Sequence, residues 1–175
     1  MRTKSDIGTY TYAKGNHAVS RAGNRSFDYD LNGNMVNNNG QRIKYNASNK
    51  PIEIKTKTDT INFAYDMNGA RYKKVSKGSE SHYVGKTYEK VRNRETTKTE
   101  DKYYIYADGK VQAIHTQPHR GMGETRYLHY DALNSVDTIT NMQGLAVQRS
   151  VYKPFGEKIT PKSSYTHRGY TTSKR

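Results

Sequence analysis

Short runs in which apolar or aromatic residues alternate with polar ones fill this chain. "QRIKYNA" at 41–47 alternates, as do "KPIEIKTKT" at 50–58, "TINFAYD" at 60–66 and "KYYIYADGKVQAIHT" at 102–116. A period of two is the signature of a strand with one covered face. No long stretch places apolar residues at i, i+3, i+4 and i+7, so helices are not predicted. The runs end at Asn, Gly or Asp. Asp108-Gly109 separates two strand-like runs and predicts a tight hairpin, since glycine accepts positive φ at little cost. "NNNGQ" at 37–41 reads the same way. Further strands are predicted at 123–131, 135–140, 145–153 and 156–160, with turns at Leu133-Asn134, Gln143-Gly144 and Pro154 to Gly156. Strands at this spacing describe an all-β array of antiparallel hairpins. "EKVRNRETTKTED" at 89–101 is charged and poor in apolar residues, and reads as a flexible loop or insertion.

One short unit recurs. "YDLNGN" begins at Tyr29, "YNASNKP" at Tyr45 and "YDMNGAR" at Tyr65. In each, Asp or Asn follows the Tyr directly: Asp30, Asn46, Asp66. Gly33 and Gly69 both stand three residues after the Asp. This spacing suits a hairpin unit. The Tyr packs at a strand end, the Asp or Asn side chain accepts N–H bonds of the turn, and Gly takes the strained position. Such a unit cannot bury both faces alone, so units must stack in series.

The repeat resembles the YD-repeat, or Rhs (rearrangement hotspot), family, and the resemblance covers nearly the whole chain. "FDYDLNGNMVNNNGQRIKYNASNKPIEI" is similar to the family's Tyr-Asp-x-x-Gly-Asn unit, ending at Asn34, and its second half beginning at Tyr45. "FAYDMNGARYKKV" is similar to the next unit, with a Gly-x-Arg ending at Arg71. "YLHYDALNSVDTITNMQGLAVQRSVYKPFGE" resembles the Rhs-associated core segment through Asp131, Ser135, Gly144, Tyr152, Pro154, Phe155 and Gly156. "YTHRGYT" matches an Arg-Gly-Tyr segment at Arg168, Gly169 and Tyr170. Asn46 stands where Asp is usual, Asn134 where Gly is, and Lys153 where an acid is. Asn tolerates the left-handed conformation. None of the four Pro follows an Asp, so the family's autoproteolytic motif and a toxin tip beyond it are expected to be absent.

The resemblance implies a curved sheet of stacked hairpins, part of a β-shell that encloses a C-terminal toxin during delivery. Its segments would be YD hairpins over 1–78, hairpins with the charged loop over 79–122, and the core segment with a basic tail over 123–175. The implied partners are flanking YD repeats and a toxin domain, or immunity and delivery proteins. The implied location is secreted or surface-associated within a larger assembly, and cytoplasmic before delivery.

Composition adjusts this picture. Hydrophobic residues make up only 32% of 175, and Trp is absent, but Tyr occurs 16 times. A Tyr ring buries roughly 150–250 Å² while its hydroxyl finds a partner, so the predicted core is thin and spread along the repeats. The formal charge is +14, which permits nucleic acid, anionic polymers or an acidic partner chain without choosing among them. Seven Lys or Arg against Glu157 make 149–175 the most basic stretch. Without cysteine there is no disulfide, thiolate zinc site or thiol nucleophile. No run approaches the ~18 apolar residues of a membrane span, and "MRTKSDIGTYTYAKG" contains no apolar core of a signal peptide.

Candidate chemistry is sparse. Asp30, Asn32 and Asn34 fit the first ligand positions of an EF-hand loop, but Met35 stands where Gly is required and Gln41 where Glu is. His115 and His119 have a helical metal-site spacing, yet Pro118 and Gly121 argue for a loop with two exposed histidines. His129, Asp131 and Ser135 lack a nucleophile elbow. The expectation is a non-enzymatic scaffold with no catalytic residue, metal or cofactor. The alternatives are a glycan- or polyanion-binding surface module and a basic nucleic-acid-binding or nuclease fragment, for which "RYKKV" and "HRGY" supply interleaved Tyr and cations.

Overall fold

The structure is a computed structural model that describes residues 3–4, 7–12, 18–152 and 159. The expected strand at 156–160, Lys153, and the motif residues Pro154, Phe155, Gly156, Arg168, Gly169 and Tyr170 lie outside the described residues, apart from Ile159. Among the described residues all regular structure is β, in sixteen strands without a helix. Two compact units are present: Met1–His82 with Asn93–Thr96, and Tyr83–Arg92 with Thr97–Arg175.

In the first unit, which takes the last of these strands as far as His82, the strands follow chain order and each runs antiparallel to the one before. They are β1 (Thr3–Lys4), β2 (Gly8–Tyr12), β3 (Val19–Ala22), β4 (Arg25–Tyr29) and β5 (Met35–Asn38), followed by β6 (Gln41–Tyr45), β7 (Pro51–Lys55), β8 (Thr60–Tyr65), β9 (Arg71–Val75) and β10 (Ser79–Val84). The alternation seen in the sequence sorts the faces. Ile43 lies opposite Ile54, which lies opposite Ile61, and Phe63 shares their face. These residues are half-buried. The other face carries Arg42 opposite Lys55 and Lys44 opposite Glu53, with Lys44 and Glu53 paired at 2.8 Å. One covered and one solvated face is the ordinary pattern of an antiparallel sheet. Strands alternate in direction, so the loops at 30–34, 46–50 and 66–70 share one end, and the tight turns at 39–40 and 56–59 share the other.

The second unit contains β11 (Tyr88–Asn93), β12 (Thr99–Ala107), β13 (Lys110–Pro118), β14 (Glu124–Tyr130), β15 (Val136–Thr140) and β16 (Ala146–Arg149), again antiparallel and in chain order. Stretches 79–122 and 123–175, read separately from the sequence, fall mostly within this one unit. Its core is Val111, Ile114, Leu128, Val136 and Ile139, each at most 3% exposed, with Tyr104, Tyr106 and Tyr130 packed against them. In the first unit Ala22, at 5% exposed, is the sole buried hydrophobic residue among the described residues. The core is thin, and Tyr rings supply much of it.

The charged stretch at 89–101 is not a loop. β11 and β12 take most of it and leave 94–98 as the connection. Its charges compensate across the ladder: Glu89 lies opposite Lys102 and Lys90 opposite Asp101. Tyr hydroxyls satisfy the acids. Tyr104 donates to the buried Glu89 carboxylate at 2.6 Å, and Tyr88 donates to Asp101 at 2.6 Å. His115 is likewise on a strand, half-buried in β13, and not in a loop; Pro118 ends that strand instead of excluding it.

The Asp101 contact pushes the Tyr88 hydroxyl up to about 12, with burial adding to the effect. Burial also raises Tyr45 and Tyr65. A raised pKa favours the neutral form in the fold, so this stability is complete below about pH 10, the unfolded value. It is lost as pH climbs towards 12. The urea midpoint is therefore expected to fall from pH 10 upward, and Tyr88→Phe should flatten part of that fall.

Candidate functional site

The recurrent turn is built from one side-chain oxygen. In the loop at 30–34, Asp30 Oδ1 accepts the N–H groups of Asn32 (3.0 Å) and Asn34 (2.8 Å). The Asp30 N–H donates to the Asn34 carbonyl at 2.9 Å, and the Gly33 N–H to the Asp30 carbonyl at 3.0 Å. The same four bonds recur at Asn46 with Ser48 and Lys50, and at Asp66 with Asn68 and Ala70. They recur again at Asp131 with Leu133 and Ser135, and at Asn141 with Gln143 and Leu145. The fourth residue always has positive φ: Gly33 82°, Asn49 57°, Gly69 73°, Asn134 63°, Gly144 76°. Glycine reaches that region without strain, and Asn is the residue that best tolerates it. This is why Asn49 and Asn134 replace Gly without loss of the turn.

A β-bulge precedes each loop. Tyr29 pairs with Met35, Tyr45 with Pro51, Tyr65 with Arg71, Tyr130 with Val136 and Thr140 with Ala146, each at a register shift. The bulge turns the strand-end Tyr towards its neighbour. Its hydroxyl then donates to the carbonyl at the start of the preceding strand. The bonds are Tyr29 to Val19 (3.1 Å), Tyr45 to Met35 (3.0 Å), Tyr65 to Pro51 (2.8 Å), Tyr130 to Val111 (2.6 Å) and Tyr152 to Val136 (3.1 Å). Met35 and Pro51 each follow a cassette directly, so Tyr45 and Tyr65 lock their own cassettes to the one before; Tyr152 reaches Val136 behind the Asp131 turn, and Tyr130 reaches Val111 behind the Asp108-Gly109 hairpin.

Side chains add lateral links. Asn49 Oδ1 accepts from the amides of Asn32 (3.3 Å) and Asn34 (2.7 Å). Lys50 Nζ bonds the Gly69 carbonyl and lies 5.5 Å from the Tyr65 ring centre. A Cβ on Gly69 would meet the end of that Lys50 side chain, so glycine there serves the contact as well as the φ. Lys110 repeats the device on Asn134 Oδ1 and the Tyr130 ring. Arg71 lies over the Phe63 ring at 5.5 Å. A shallow concavity of about 520 Å³ beside the first two cassettes is lined by Asn34, Ile43, Tyr45, Asn49 and Ile52, among others.

Asp30, His115, His129 and Asp131 each have hydrogen-bond partners within the fold. Both Asp30 oxygens are engaged, Oδ2 by the Asn34 amide at 2.9 Å. That amide, with the turn's N–H groups, holds the Asp30 carboxyl below its ordinary value against the opposing effect of burial. Asp131 and Ser135 are brought together, but as turn partners: the Ser135 N–H faces the carboxylate and the residue is fully buried. His129 bonds the Thr140 hydroxyl instead, at 3.0 Å. His115 bonds Thr125 Oγ1 at 2.9 Å.

Sequence reading missed Asn141 as the acceptor of a fifth turn, because Thr140 stands in the place of the Tyr. The Asx-x-x-Gly spacing of Asn141 and Gly144 was the available signal. It also missed the Tyr106 hydroxyl on the Lys86 carbonyl at 3.1 Å, which no repeat marks.

Fold and site together define an all-antiparallel β array whose hairpins are joined by serial Asx-turn cassettes. The same fold occurs in Tc toxin structures. The Photorhabdus luminescens Tc holotoxin pore with a substituted TccC3 is 16% identical with a TM-score of 0.63, the match covering 74% of this chain. The crystal structure of TcdB2-TccC3-TEV is 14% identical with a TM-score of 0.60, covering 86%. This chain spans 7% and 10% of those two chains. No family model and no curated protein matches the sequence.

Replacing Asp66 by Ala removes the acceptor of two exposed turn N–H groups and should lower stability by about 0.5–1.5 kcal/mol. Asp66→Asn keeps the acceptor, as Asn46 does naturally, and should cost a small fraction of that. Urea midpoints of the two variants check the difference.

Proposed function

We propose that this chain is a non-catalytic wall segment of an Rhs-type, YD-repeat protein, contributing hairpins to a β-shell that encloses a toxin during delivery. The observation that carries this reading is the serial lock: the Tyr45 and Tyr65 hydroxyls each sit on the carbonyl next to the preceding cassette. A unit linked in that way is incomplete alone and is completed by its neighbours. The thin core of the first unit supports the same reading, as does the fold likeness to proteins that are parts of toxin assemblies. Among the described residues no helix is long and apolar enough to cross a membrane.

The mechanism is mechanical. Tight, hydrogen-bonded turns hold strands at fixed spacing, and a sheet grown from them presents a continuous wall. The partners are flanking YD repeats, with a toxin domain or immunity and delivery proteins beyond them. The protein would work outside the cell, within that assembly.

The test is to append YD hairpin units to the N-terminal edge and follow thermal melting. The chain alone should melt broadly, and each added unit should raise the midpoint and sharpen the transition. A sharp melt of the chain alone, unmoved by added units, would remove the proposal.

A further inference from the structure

The second unit has two unlike faces. Register places Glu89, Tyr104, Ile114, Leu128 and Ile139 on the covered one. The other carries, strand by strand, Tyr88 opposite Tyr103 opposite His115 opposite Thr125, and Ile105 opposite Ala113 opposite Tyr127. Tyr103 and Tyr127 are 45% and 43% exposed, the reverse of a core Tyr. The rings of Tyr88 and Tyr103 are 5.4 Å apart, and those of Tyr103 and His115 are 6.2 Å apart. Ala113 is buried in register between the larger Ile105 and Tyr127.

Cations flank this aromatic centre on the same face. Lys90 and Arg92 continue from Tyr88 along β11, and Arg149 follows Thr138 onto β16. All three are exposed. The ion pairs found among the described residues use other cations: Lys44, Lys73, Lys102, Arg126 and His82. Asp101, across from Lys90, is engaged by the Tyr88 hydroxyl. The stretch "RYKKV" offers no comparable surface, since Lys73 is paired with Glu80 and Lys74 is half-buried opposite Phe63.

We propose that this face binds single-stranded nucleic acid, with bases stacked on Tyr103 and Tyr127 and phosphates held by Lys90, Arg92 and Arg149. A strand sheet with exposed rings at its centre and unpaired cations at its margins supplies both terms of such binding, sequence-tolerant stacking and phosphate neutralisation. The chain's charge of +14 draws polyanions to it. A neutral glycan would use the rings but leave the flanking cations without a role, and competition by heparin distinguishes a sulfated one.

The test is fluorescence anisotropy of a labelled oligothymidylate with the full chain, titrated with salt. Binding should weaken linearly in log affinity against log salt, with the slope reduced by about 0.7 for each cation of the three removed as Lys90→Gln, Arg92→Gln or Arg149→Gln. Tyr103→Ala and Tyr127→Ala should each weaken binding about five- to hundredfold. Tyr103→Phe and Tyr127→Phe keep the ring and should bind as the parent, which separates stacking from misfolding. Tyr72→Ala, an exposed ring on the first unit, should change nothing. No binding, or Tyr103→Ala and Tyr127→Ala binding as tightly as the parent while heparin competes equally well, would overturn the proposal.

Discussion

Everything in this fold depends on how the polar groups at hairpin ends are satisfied. A thin sheet has little core to offset the cost of a badly bonded turn. A five-residue loop exposes backbone N–H groups that no strand partner can reach. Here one carboxylate or amide oxygen accepts two of them, and two further backbone bonds close the loop. Each bond contributes only about 0.5–1.5 kcal/mol net, and the same set recurs in five turns. The chain repeats this solution with Asp at three positions and Asn at two, because either side chain offers the required oxygen.

The Tyr bonds convert a local turn into a long-range constraint. A hydroxyl that bonds the carbonyl beside the preceding cassette fixes the spacing between turns. It also lets the ring cover apolar surface that aliphatic side chains would otherwise have to cover. This accounts for a chain rich in Tyr and poor in Phe and Trp. In the second unit an aliphatic cluster shares the work, with Tyr104, Tyr106 and Tyr130 around it. In the first unit Ile43, Ile54 and Ile61 remain half-buried, and the cassette bonds do more.

The fold was legible where physics is local. Period-two alternation located strands, and Asp-Gly or Asn-Gly pairs located turns, because each is decided within a few residues. The assignments at Tyr29, Asp30, Gly33, Tyr65, Asp66 and Gly69 followed from one spacing. What the sequence hid was non-local. Residues 89–101 look solvated until Lys102 and Tyr104 are placed across from Glu89. His115 looks like a loop residue until β12 and β14 flank it. The Tyr hydroxyl bonds were invisible because their acceptors are backbone carbonyls, which carry no sequence mark. The exposed aromatic face was equally hidden, since only register reveals that Tyr103 and Tyr127 point the same way.

Native-state hydrogen exchange on Tyr45→Phe tests the central claim most directly, since it deletes one hydroxyl and leaves every turn residue in place. The account predicts that the amides of Asn34 and Lys50, on either side of the lost bond, exchange faster. The amides of Ser135 and Leu145, in the second unit, should keep their protection. Unchanged exchange at Asn34 and Lys50 would mean that the cassettes stand independently and that the Tyr bonds do not hold them in series.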